Sequence, residues 1–353
     1  MGRATSVRWK QNDTEKPSLE VVERDIPDPK QGQVQISVGS AGICGSDLHF
    51  YRGDFPARAG ITPGHEFAGT VSAVGADVSS IKEGDIVGVE PLLRCGICSF
   101  CVSGDYHVCG ERGLVGENED GGMSDLANVP ANTVFKAPSG VDPELGALAE
   151  PLACSVHGYH KVGLRGHETV FIVGAGTIGL TAILAARANG SRVIVLARHP
   201  HQQEAARRLG ADEVIGEDEL GVERMKELTR LQAIDVSVET VGGQGDTLIQ
   251  AQRLVRPKGR LLVLGVFSVP TVHINPLHLA LKEVEIVGSM TYSSSEGRAD
   301  YAVALDVISD YAEAARSLVT HRYGLNEVNA AFTTALDKSS ESLKVHFNPS
   351  IVS

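Results

Sequence analysis

Four of the six cysteines of the chain lie in one short stretch, at Cys95, Cys98, Cys101 and Cys109. Thiolates this close together favour a metal ion over disulfides, and four of them fill the tetrahedral shell of a structural zinc. Two alternatives remain open. An iron–sulfur cluster is one, although bacterial ferredoxin spacing brings the fourth cysteine in sooner and follows it with proline. Four reduced thiols without metal are the other.

Two further segments carry side chains that could bind a metal or transfer a proton. One runs from Cys44 through Ser46 to His49, and the other contains His65 and Glu66. Both have turn-type sequences. A lone histidine is more often a structural residue than a ligand, and a lone cysteine more often a small buried hydrophobe. Their combination with a nucleotide-binding pattern further along the chain favours a functional interpretation.

That pattern is the stretch Val170–Gly190, in which a short apolar run precedes three glycines and a run of small residues. It predicts a strand, a tight turn and a helix. Gly174 can adopt the sharp turn, Gly176 lets a pyrophosphate approach the backbone, and Gly179 lets the helix pack closely on the strand. The predicted ligand is a dinucleotide, although glycine turns between strand and helix also occur with nothing bound.

Short strand-like and helix-like runs alternate after this turn. Such alternation predicts crossover connections and a doubly wound parallel sheet of the α/β class. The nucleotide should lie across the C-terminal ends of the first and fourth strands, near Gly174 and residues 240–243. The runs are Arg192–Leu196, Gln202–Leu209, Glu213–Ile215, Gly221–Arg230, Ile234–Glu239, Asp246–Val255, Arg260–Leu264 and Glu285–Gly288.

The two ends of the chain differ from this central region. Before the cysteine stretch, β-type runs broken by Gly and Pro, such as Val34–Ser40 and Phe67–Val74, predict a small antiparallel β domain. After Gly288 the alternation stops. The sequence there predicts helices and one final strand, over Asp300–Ile308, Tyr311–Val319, Leu325–Leu336 and Lys344–Phe347.

Composition and charge narrow the function. A chain of 353 residues suits two domains, and its formal charge of −12 argues against nucleic acid as a partner because no basic stripe stands out. The N-terminal residues lack the apolar core of a signal peptide, and no run of about 18 uncharged apolar residues occurs. The sequence therefore predicts a cytoplasmic protein that does not bind membranes.

Taken in order, GICGSDLHFY, TPGHEFAGTVSAVGADV, the cysteine stretch, LAEPLACSVH and VGAGTIG resemble the zinc-dependent medium-chain dehydrogenases, especially the polyol group of sorbitol and butanediol dehydrogenases. The match spans nearly the whole chain. The resemblance implies a GroES-like β-rich catalytic domain over residues 1–154 and a Rossmann cofactor domain over 155–288. It also implies a returning part of the catalytic domain over 289–353, and a homodimer or homotetramer.

The resemblance assigns a second, catalytic zinc, which makes two zinc ions per chain. Its implied ligands are Cys44, His65 and Glu150. Glu66 lies beside them, either as a fourth ligand or exchanging with water. The pair Glu150-Pro151 fits the polyol type, in which Glu stands where liver-type alcohol dehydrogenases carry a different protein ligand.

The resemblance also makes Ser46 the hydroxyl that hydrogen-bonds the substrate oxygen and His49 a relay toward solvent. The chemistry independently requires such groups, since oxidation of an alcohol to a ketone removes a proton from oxygen and a hydride from carbon. Serine cannot act as a terminal base at neutral pH, whereas an imidazole with a pKa of about 6.5 can pass the proton to water.

The cofactor preference depends on the end of the second strand of the sheet. NAD-specific members of the family carry an acid there that binds the ribose, but Ala197 fills the position and Arg198 and His199 follow it. We therefore expect NADP(H) to be preferred to NAD(H). The expected cofactor-binding residues are Gly174, Gly176, Thr177, Ile178, Gly179, Ala197, Arg198 and His199.

One difference from the family argues against sorbitol itself as the substrate. Sorbitol-type enzymes carry Arg directly before a tyrosine in this segment, whereas here Thr291 precedes Tyr292. The expected substrates are secondary alcohols, diols or polyols and their ketones. Three alternatives stay open: an NAD-dependent butanediol or threonine dehydrogenase-like member, a zinc-free quinone or enoyl reductase, and a non-catalytic protein with a reductase fold. The zinc-free reductases lack Cys44, His65 and the cysteine stretch.

Overall fold

The structure is a computed structural model that describes residues 2–10 and 17–351. The chain folds into two compact units. Unit 1 comprises residues 1–150 and 308–353, and unit 2 comprises residues 151–307. Within the described residues, no helix has the length and apolar character needed to cross a membrane.

The N-terminal part of unit 1 is mostly β-structure with short helices. Its strands are β1 (Gly2–Trp9), β2 (Leu19–Ile26), β3 (Gln33–Gly42), β4 (Glu66–Val74), β5 (Ile86–Val89), β6 (Leu92–Leu93), β7 (Gly113–Leu114), β8 (Leu126–Pro130) and β9 (Val134–Lys136). Its helices are α1 (Gly45–Arg52), α2 (Ser99–Ser103) and α3 (Pro143–Gly146), followed by α4 (Ala149–Lys161), which continues into unit 2.

Unit 2 alternates strands and helices. Its strands are β10 (Thr169–Val173), β11 (Arg192–Leu196), β12 (Glu213–Ile215), β13 (Ile234–Glu239), β14 (Val255–Val263), β15 (Glu285–Gly288), β16 (Ser294–Ser295) and β17 (Arg298–Ala299). Its helices are α5 (Thr177–Ala188), α6 (Pro200–Arg208), α7 (Glu219–Arg230), α8 (Thr247–Leu254), α9 (Pro276–Lys282) and the first part of α10 (Asp300–Asp310). The chain then returns to unit 1 through α11 (Ala312–Arg316), β18 (Val319–Tyr323), α12 (Val328–Leu336) and β19 (Lys344–Phe347).

The main sheet of unit 1 has the strand order β18-β19-β3-β4-β5-β9, and β8 also pairs with β3. Val34 and Ile36 of β3 and Phe67 of β4 pack with Phe332 of α12 in the core of this unit. The pairs β3–β4, β3–β8 and β4–β5 are antiparallel, as expected of this part of the chain, whereas β18 and β19 of the returning segment run parallel. They can do so because α12 connects them, and parallel neighbours need a crossover of this kind.

The returning segment also differs from its predicted helices. The predicted helix Tyr311–Val319 ends as α11 at Arg316, and β18 begins at Val319. The predicted helix Leu325–Leu336 begins with a 3₁₀ turn, Leu325–Glu327, before α12. Val319 and Tyr323 gain ladder hydrogen bonds from β19, which local helix propensity does not register.

The sheet of unit 2 has the order β12-β11-β10-β13-β14-β15 and its pairs are parallel. Residues Val170–Val173 and Val193–Leu196 are buried, as expected of parallel strands covered on both faces. Strand β10 lies beside β13, so the sheet reverses its strand order between them. This is the doubly wound order in which a dinucleotide lies at the switch point.

Unit 2 extends beyond the predicted bounds of 155–288 and includes residues 289–307. The reason is a buried carboxylate at the start of α10. Asp300 accepts hydrogen bonds from the Nδ1 atoms of His157 and His160 on α4, at 2.8 and 2.6 Å, and from the Ser293 backbone N–H at 2.9 Å. These bonds hold the segment after β15 against α4.

Candidate metal centres and cofactor site

The four cysteines of the predicted structural site converge in the structure. The Sγ atoms of Cys95 and Cys101 lie 3.9 Å apart, those of Cys98 and Cys109 3.8 Å, and those of Cys95 and Cys109 3.6 Å. Ligands about 2.3 Å from a tetrahedral zinc lie roughly 3.8 Å from one another. The sulfurs are therefore spaced as a tetrahedral metal requires, and none forms a disulfide.

The surroundings of this cluster indicate a role in holding the loop. Backbone N–H groups of Ile97 and Cys98 lower the pKa of Cys95 to about 7, which favours the thiolate that binds metal. Helix α2 buries none of its residues, and Ile97 next to it is 85% exposed. Tyr106, His107 and Cys109 are buried at the other end of the loop, so the part around α2 is the one that most needs the stability four metal–sulfur bonds would supply.

A second cluster contains Cys44, His65 and Glu66, whose ligand atoms all lie within 4.8 Å of one another. Cys44 is the N-cap of α1, where its backbone N–H donates to the Asp47 carboxylate at 2.9 Å. His65 and Glu66 lie at the start of β4, directly after Gly64, which adopts a left-handed φ of 95°. A turn and a helix start thus bring the side chains of two distant segments together.

Lys344 supplies a buried positive charge to this second cluster. Its ammonium group donates to the Ile43 carbonyl at 2.9 Å and forms an ion pair with Glu66. Burial disfavours its charged form, yet the negative charges of Glu66, Cys44 and Glu150 raise the pKa of Lys344 above its ordinary value. A cluster whose charges stabilise a buried cation so strongly also suits a divalent metal ion.

Glu150, the third implied ligand of the catalytic zinc, is buried in the first turn of α4. It is not one of the three residues within 4.8 Å of one another, but burial, which disfavours the charged form of His65, is outweighed by Cys44 and Asp47 and, to a smaller extent, by the charge of Glu150, which together raise the pKa of His65. His65 also has a buried Nδ1 without a hydrogen-bond partner among the described residues. The donor set of thiolate, imidazole and carboxylates fits zinc.

The two residues of the implied proton path lie on α1. Ser46 Oγ is buried and makes no hydrogen bond within residues 2–10 and 17–351, so it is available to a ligand. His49 Nδ1 lies 2.7 Å from Asp54 Oδ2, and hydrogen bonds from His49 and Arg52 lower the pKa of Asp54. Arg52 Nη2, which can only donate, lies 2.9 Å from the same Nδ1, so this nitrogen is occupied by the Asp54–Arg52 pair and Nε2 is the one that can exchange a proton.

The backbone geometry explains why each of the three positions in the nucleotide turn is glycine. Gly174 ends β10 with a left-handed φ of 99°. A Cβ at Gly179 would lie 2.1 Å from the Gly174 carbonyl oxygen, so α5 packs there without a side chain. Apart from its chain neighbours, no atom of the described residues lies within 4 Å of a Cβ built on Gly176, the N-cap of α5, which leaves the helix N-terminus open for a phosphate. Thr177 and Ile178 begin that helix.

The end of β11 presents a mixture of charges. Ala197 is buried, and Arg198 beside it has a side chain that is 73% exposed with its Nε 3.6 Å from Glu217 Oε2. His199 is the N-cap of α6, and its ring stacks on that of His201 at 5.6 Å between centroids. An arginine and two imidazoles thus lie where an acid would bind the ribose of NAD.

Sequence reasoning missed three charged residues of these sites. Lys344 and Asp54 are two of them. The third is Glu239 at the end of β13, whose Oε1 accepts from the backbone of Val241 and Gly242 and from the Thr247 hydroxyl, at 2.8 to 2.9 Å. Strand patterning marked the position of Glu239, but nothing in the sequence indicated that its side chain organises the loop after β13.

Comparisons with known proteins agree with this architecture. The family profile "Alcohol dehydrogenase GroES-like domain" matches residues 30–139, and "Zinc-binding dehydrogenase" matches residues 177–310. A sorbitol dehydrogenase from Halalkalibacterium halodurans is 34% identical over 333 residues, which are 93% of this chain and 95% of that one. The chain therefore belongs to the zinc-dependent medium-chain dehydrogenases, within the alcohol and polyol dehydrogenase group, and its predicted family and fold class are confirmed.

Solved structures extend the likeness to the whole chain. A structure described as a zinc-binding dehydrogenase from Sinorhizobium meliloti, bound to NADP, superposes with a TM-score of 0.86 at 27% identity, covering 99% of this chain and 100% of that one. One described as a short chain alcohol dehydrogenase from Escherichia coli CFT073, complexed with NADH, gives 0.86 at 28% identity and the same coverage. The two relatives carry different nicotinamide cofactors.

Proposed function

We propose that the protein is a zinc-dependent oxidoreductase that transfers a hydride between NADP(H) and a secondary alcohol, diol or polyol, or the corresponding ketone. The observation that carries the proposal is the cluster of half-buried Cys44 with buried His65 and Glu66 next to α1, the helix whose Ser46 hydroxyl has no hydrogen-bond partner among the described residues. Metal ligands beside a free hydroxyl are the groups that alcohol oxidation requires.

The proposed catalytic zinc is held by Cys44, His65 and Glu150, with water or Glu66 in the fourth position. The ion pair of Glu66 with Lys344 favours water, because Lys344 competes with the metal for that carboxylate. The proposed structural zinc is held by the four-cysteine cluster, whose sulfur spacing supports it. When bound, the open zinc polarises a carbonyl oxygen or lowers the pKa of an alcohol, and the nicotinamide takes the hydride.

The residues of α1 move the proton in this scheme. Ser46 Oγ accepts the hydroxyl proton of the alcohol and passes it on, since serine does not retain a proton as a terminal base. His49 lies three residues further along the same helix, on a neighbouring position of its surface. Its Nδ1 is held by Asp54, so Nε2 delivers the proton to solvent.

The proposed preference for NADP(H) rests on Ala197, Arg198 and His199. A 2′-phosphate gains a charge-assisted hydrogen bond from Arg198, which must leave Glu217 to make it. Hydrogen bonds to charged groups contribute about 1.5 to 3 kcal/mol, so Arg198→Ala should weaken NADPH binding roughly tenfold to a hundredfold and leave NADH almost unchanged. Glu217→Gln should instead strengthen NADPH binding. Ala197→Asp should weaken it by repulsion.

Steady-state kinetics with both cofactors test this proposal. A screen of secondary alcohols, diols, polyols and their ketones should give turnover with at least one pair, and a higher kcat/KM with NADPH than with NADH. A higher kcat/KM with NADH would favour the alternative, an NAD-dependent butanediol or threonine dehydrogenase-like enzyme. Absence of turnover with the whole panel, in protein that contains zinc, would favour a non-catalytic protein with a reductase fold.

We also propose a cytoplasmic homodimer or homotetramer that acts on small molecules. The apolar run Arg260–Phe267, which favours association, begins in β14, next to the outermost strand β15. The edge itself offers apolar surface, since Leu277, Leu281 and Ile286 are exposed on α9 and β15. Pairing of two β15 strands would cover it. Light scattering that gives the 37.3 kDa mass of one chain at micromolar concentration would contradict this.

A further inference from the structure

A cavity of about 190 Å³ lies in unit 1 between the loop that follows α1 and the turn that follows β7. Trp9 and Phe50 form apolar walls, Ala57 and Arg58 belong to the loop, and Glu117 belongs to the turn. This volume is equivalent to roughly six water molecules, enough for a carbon chain of a few atoms with its hydroxyl groups.

Two walls of the cavity belong to, or pack against, segments that carry the candidate site. Phe50 lies four residues after Ser46 on α1, so the two side chains are neighbours on one helix face. On the other side, a Cβ built on Gly116 would lie 3.1 Å from the backbone nitrogen of His65 and 2.9 Å from the carbonyl carbon of Gly64. The turn thus rests directly on the backbone that presents His65.

The turn holds its position through its own hydrogen bonds. Gly116, with a left-handed φ of 94°, donates its N–H to the Glu119 carbonyl at 2.7 Å, and Asn118 accepts from the Leu114 backbone through its side chain at 2.7 Å. The Arg58 guanidinium donates to the Asn118 carbonyl at 2.9 Å and ties the loop to the turn. The carboxylate of Glu117 is therefore presented from a rigid backbone.

The Glu117 carboxylate is available to accept a hydrogen bond from a ligand. Among residues 2–10 and 17–351 its side chain has no hydrogen-bond or ion-pair partner, although it is half-buried. Burial raises the pKa of Glu117, and the charge of His65 acts against that shift, which places the carboxylate within electrostatic reach of the metal cluster. An ionised carboxylate only accepts hydrogen bonds, so its partner must bring a donor.

We propose that this cavity is the subsite for the part of the substrate beyond the oxidised carbon, and that Glu117 is a specificity-determining residue that accepts a hydrogen bond from a second donor group on the substrate. The proposal rests on the proposed dehydrogenase function and deepens it. The shared chemistry is a donor near the reacting carbon, either a hydroxyl of a polyol or the ammonium of an amino alcohol. A simple secondary alcohol lacks that donor.

The test compares Glu117→Leu and Glu117→Gln with the matched variant Glu119→Leu, which removes a carboxylate of the same turn outside the cavity. The substrates are 2-butanol, 2,3-butanediol, xylitol and L-threonine. For substrates with a second donor, Glu117→Leu should lower kcat/KM roughly tenfold to a hundredfold, the range for hydrogen bonds to a charged group, and 2-butanol should change less than twofold. Glu117→Gln should lower kcat/KM less for hydroxyl donors than for an ammonium.

A binding measurement separates this proposal from the proposed function. Calorimetric titration of xylitol and of L-threonine into the zinc-loaded protein with NADPH, which cannot accept a hydride from an alcohol, measures binding without turnover. Weaker binding to Glu117→Leu than to Glu119→Leu would support the subsite even in a chain that proved inactive. Equal losses in both variants, or equal losses for 2-butanol and the polyols, would overturn the assignment of Glu117.

Discussion

The two metal-binding clusters of unit 1 are built in opposite ways. All four sulfurs of the first cluster come from the short stretch between Cys95 and Cys109, on an exposed loop. The second cluster joins Cys44, at the start of α1, with His65 and Glu66, at the start of β4, and Glu66 is paired with Lys344 from the last strand. One cluster organises the chain around it, whereas the other exists only when the chain has folded.

This difference separates stability from chemistry. The first cluster has its four ligand positions filled by protein, and helix α2 in its loop buries none of its residues, so a metal there contributes folding free energy. The second cluster has buried polar atoms without partners among the described residues, at Ser46 Oγ and His65 Nδ1, and it holds the cation of Lys344 among the negative charges of Glu66, Cys44 and Glu150. Such a site can change its ligands without losing its fold.

The largest expected contrast comes from one substitution in each cluster. Cys44→Ser should remain folded and lose activity by about a thousandfold or more, since a metal that polarises the substrate oxygen contributes several kcal/mol at the transition state. Cys98→Ser should lower the melting temperature or disrupt assembly, with activity falling only as folded protein is lost. Thermal scans and initial rates on both variants measure this. Equal thermal damage would remove the distinction between the clusters.

Lys344→Met tests the second cluster by removing its buried positive charge. It leaves the buried Glu66 without its counter-charge, and breaking one partner of a buried pair costs about 3 to 5 kcal/mol of unfolding free energy. Urea unfolding followed by the fluorescence of Trp9, the chain's single tryptophan, reports on unit 1 directly. The control is Lys136→Met, which breaks the more exposed ion pair with Asp85 and should lower the free energy of unfolding much less. Equal losses would refute the proposed role of Lys344.

A smaller effect is expected at the proton path. His49→Gln should retain full zinc content and lower the rate of alcohol oxidation roughly tenfold to a hundredfold, most at low pH, where proton release is hardest. Asp54→Asn should lower it less, because it loosens the imidazole without removing it. Added imidazole should restore part of the His49→Gln rate. Loss of zinc from this variant would show that His49 belongs to the metal site.

The smallest expected effect is in unit 2, where Asp300, His157 and His160 form a charged network that contains no proposed metal ligand. Hydrogen bonding to Asp300 raises the pKa of His160 above 6.5, so this stabilisation is complete below pH 6.5 and is lost as the pH rises through the raised pKa. Burial opposes ionisation of Asp300, but its bonds with His157 and His160 hold the pKa below 3.8, so that contribution disappears in acid. This network should stabilise most between about pH 4 and 6.5.

His160→Gln tests how much this network contributes to the pH dependence of stability. Because the His160 side chain is 42% exposed, its loss should cost about 1 kcal/mol or less and remove the decline above pH 6.5. Melting temperatures of the variant and the parent between about pH 5 and 9 measure the difference. Parallel curves for the two proteins would show that the decline has another source, such as the metal ligands.

Local patterns made part of this molecule predictable. The cysteine spacing and the three glycines of the nucleotide turn each lie in one continuous stretch, so their geometry follows from the chain itself. Alternation of strands and helices likewise predicted the parallel sheet of unit 2. The roles assigned to Cys44, His65 and Glu150 came from resemblance, since no local pattern joins them.

Long-range contacts were not predictable in the same way. The pairing of Lys344 with Glu66 joins the two ends of the chain, and the parallel pairing of β18 with β19 depends on the crossover through α12. The bonds of Asp300 to α4 move residues 289–307 into unit 2. Each depends on tertiary neighbours that sequence periodicity does not encode.

The central claim is that the two clusters hold separate metal ions with separate roles, and metal analysis of purified protein tests it most directly. Inductively coupled plasma measurements should give about two zinc ions per chain in the parent and about one in Cys44→Ser, with the melting temperature of that variant nearly unchanged. About one zinc or none in the parent, iron in place of zinc, or two zinc ions retained by Cys44→Ser would contradict the account.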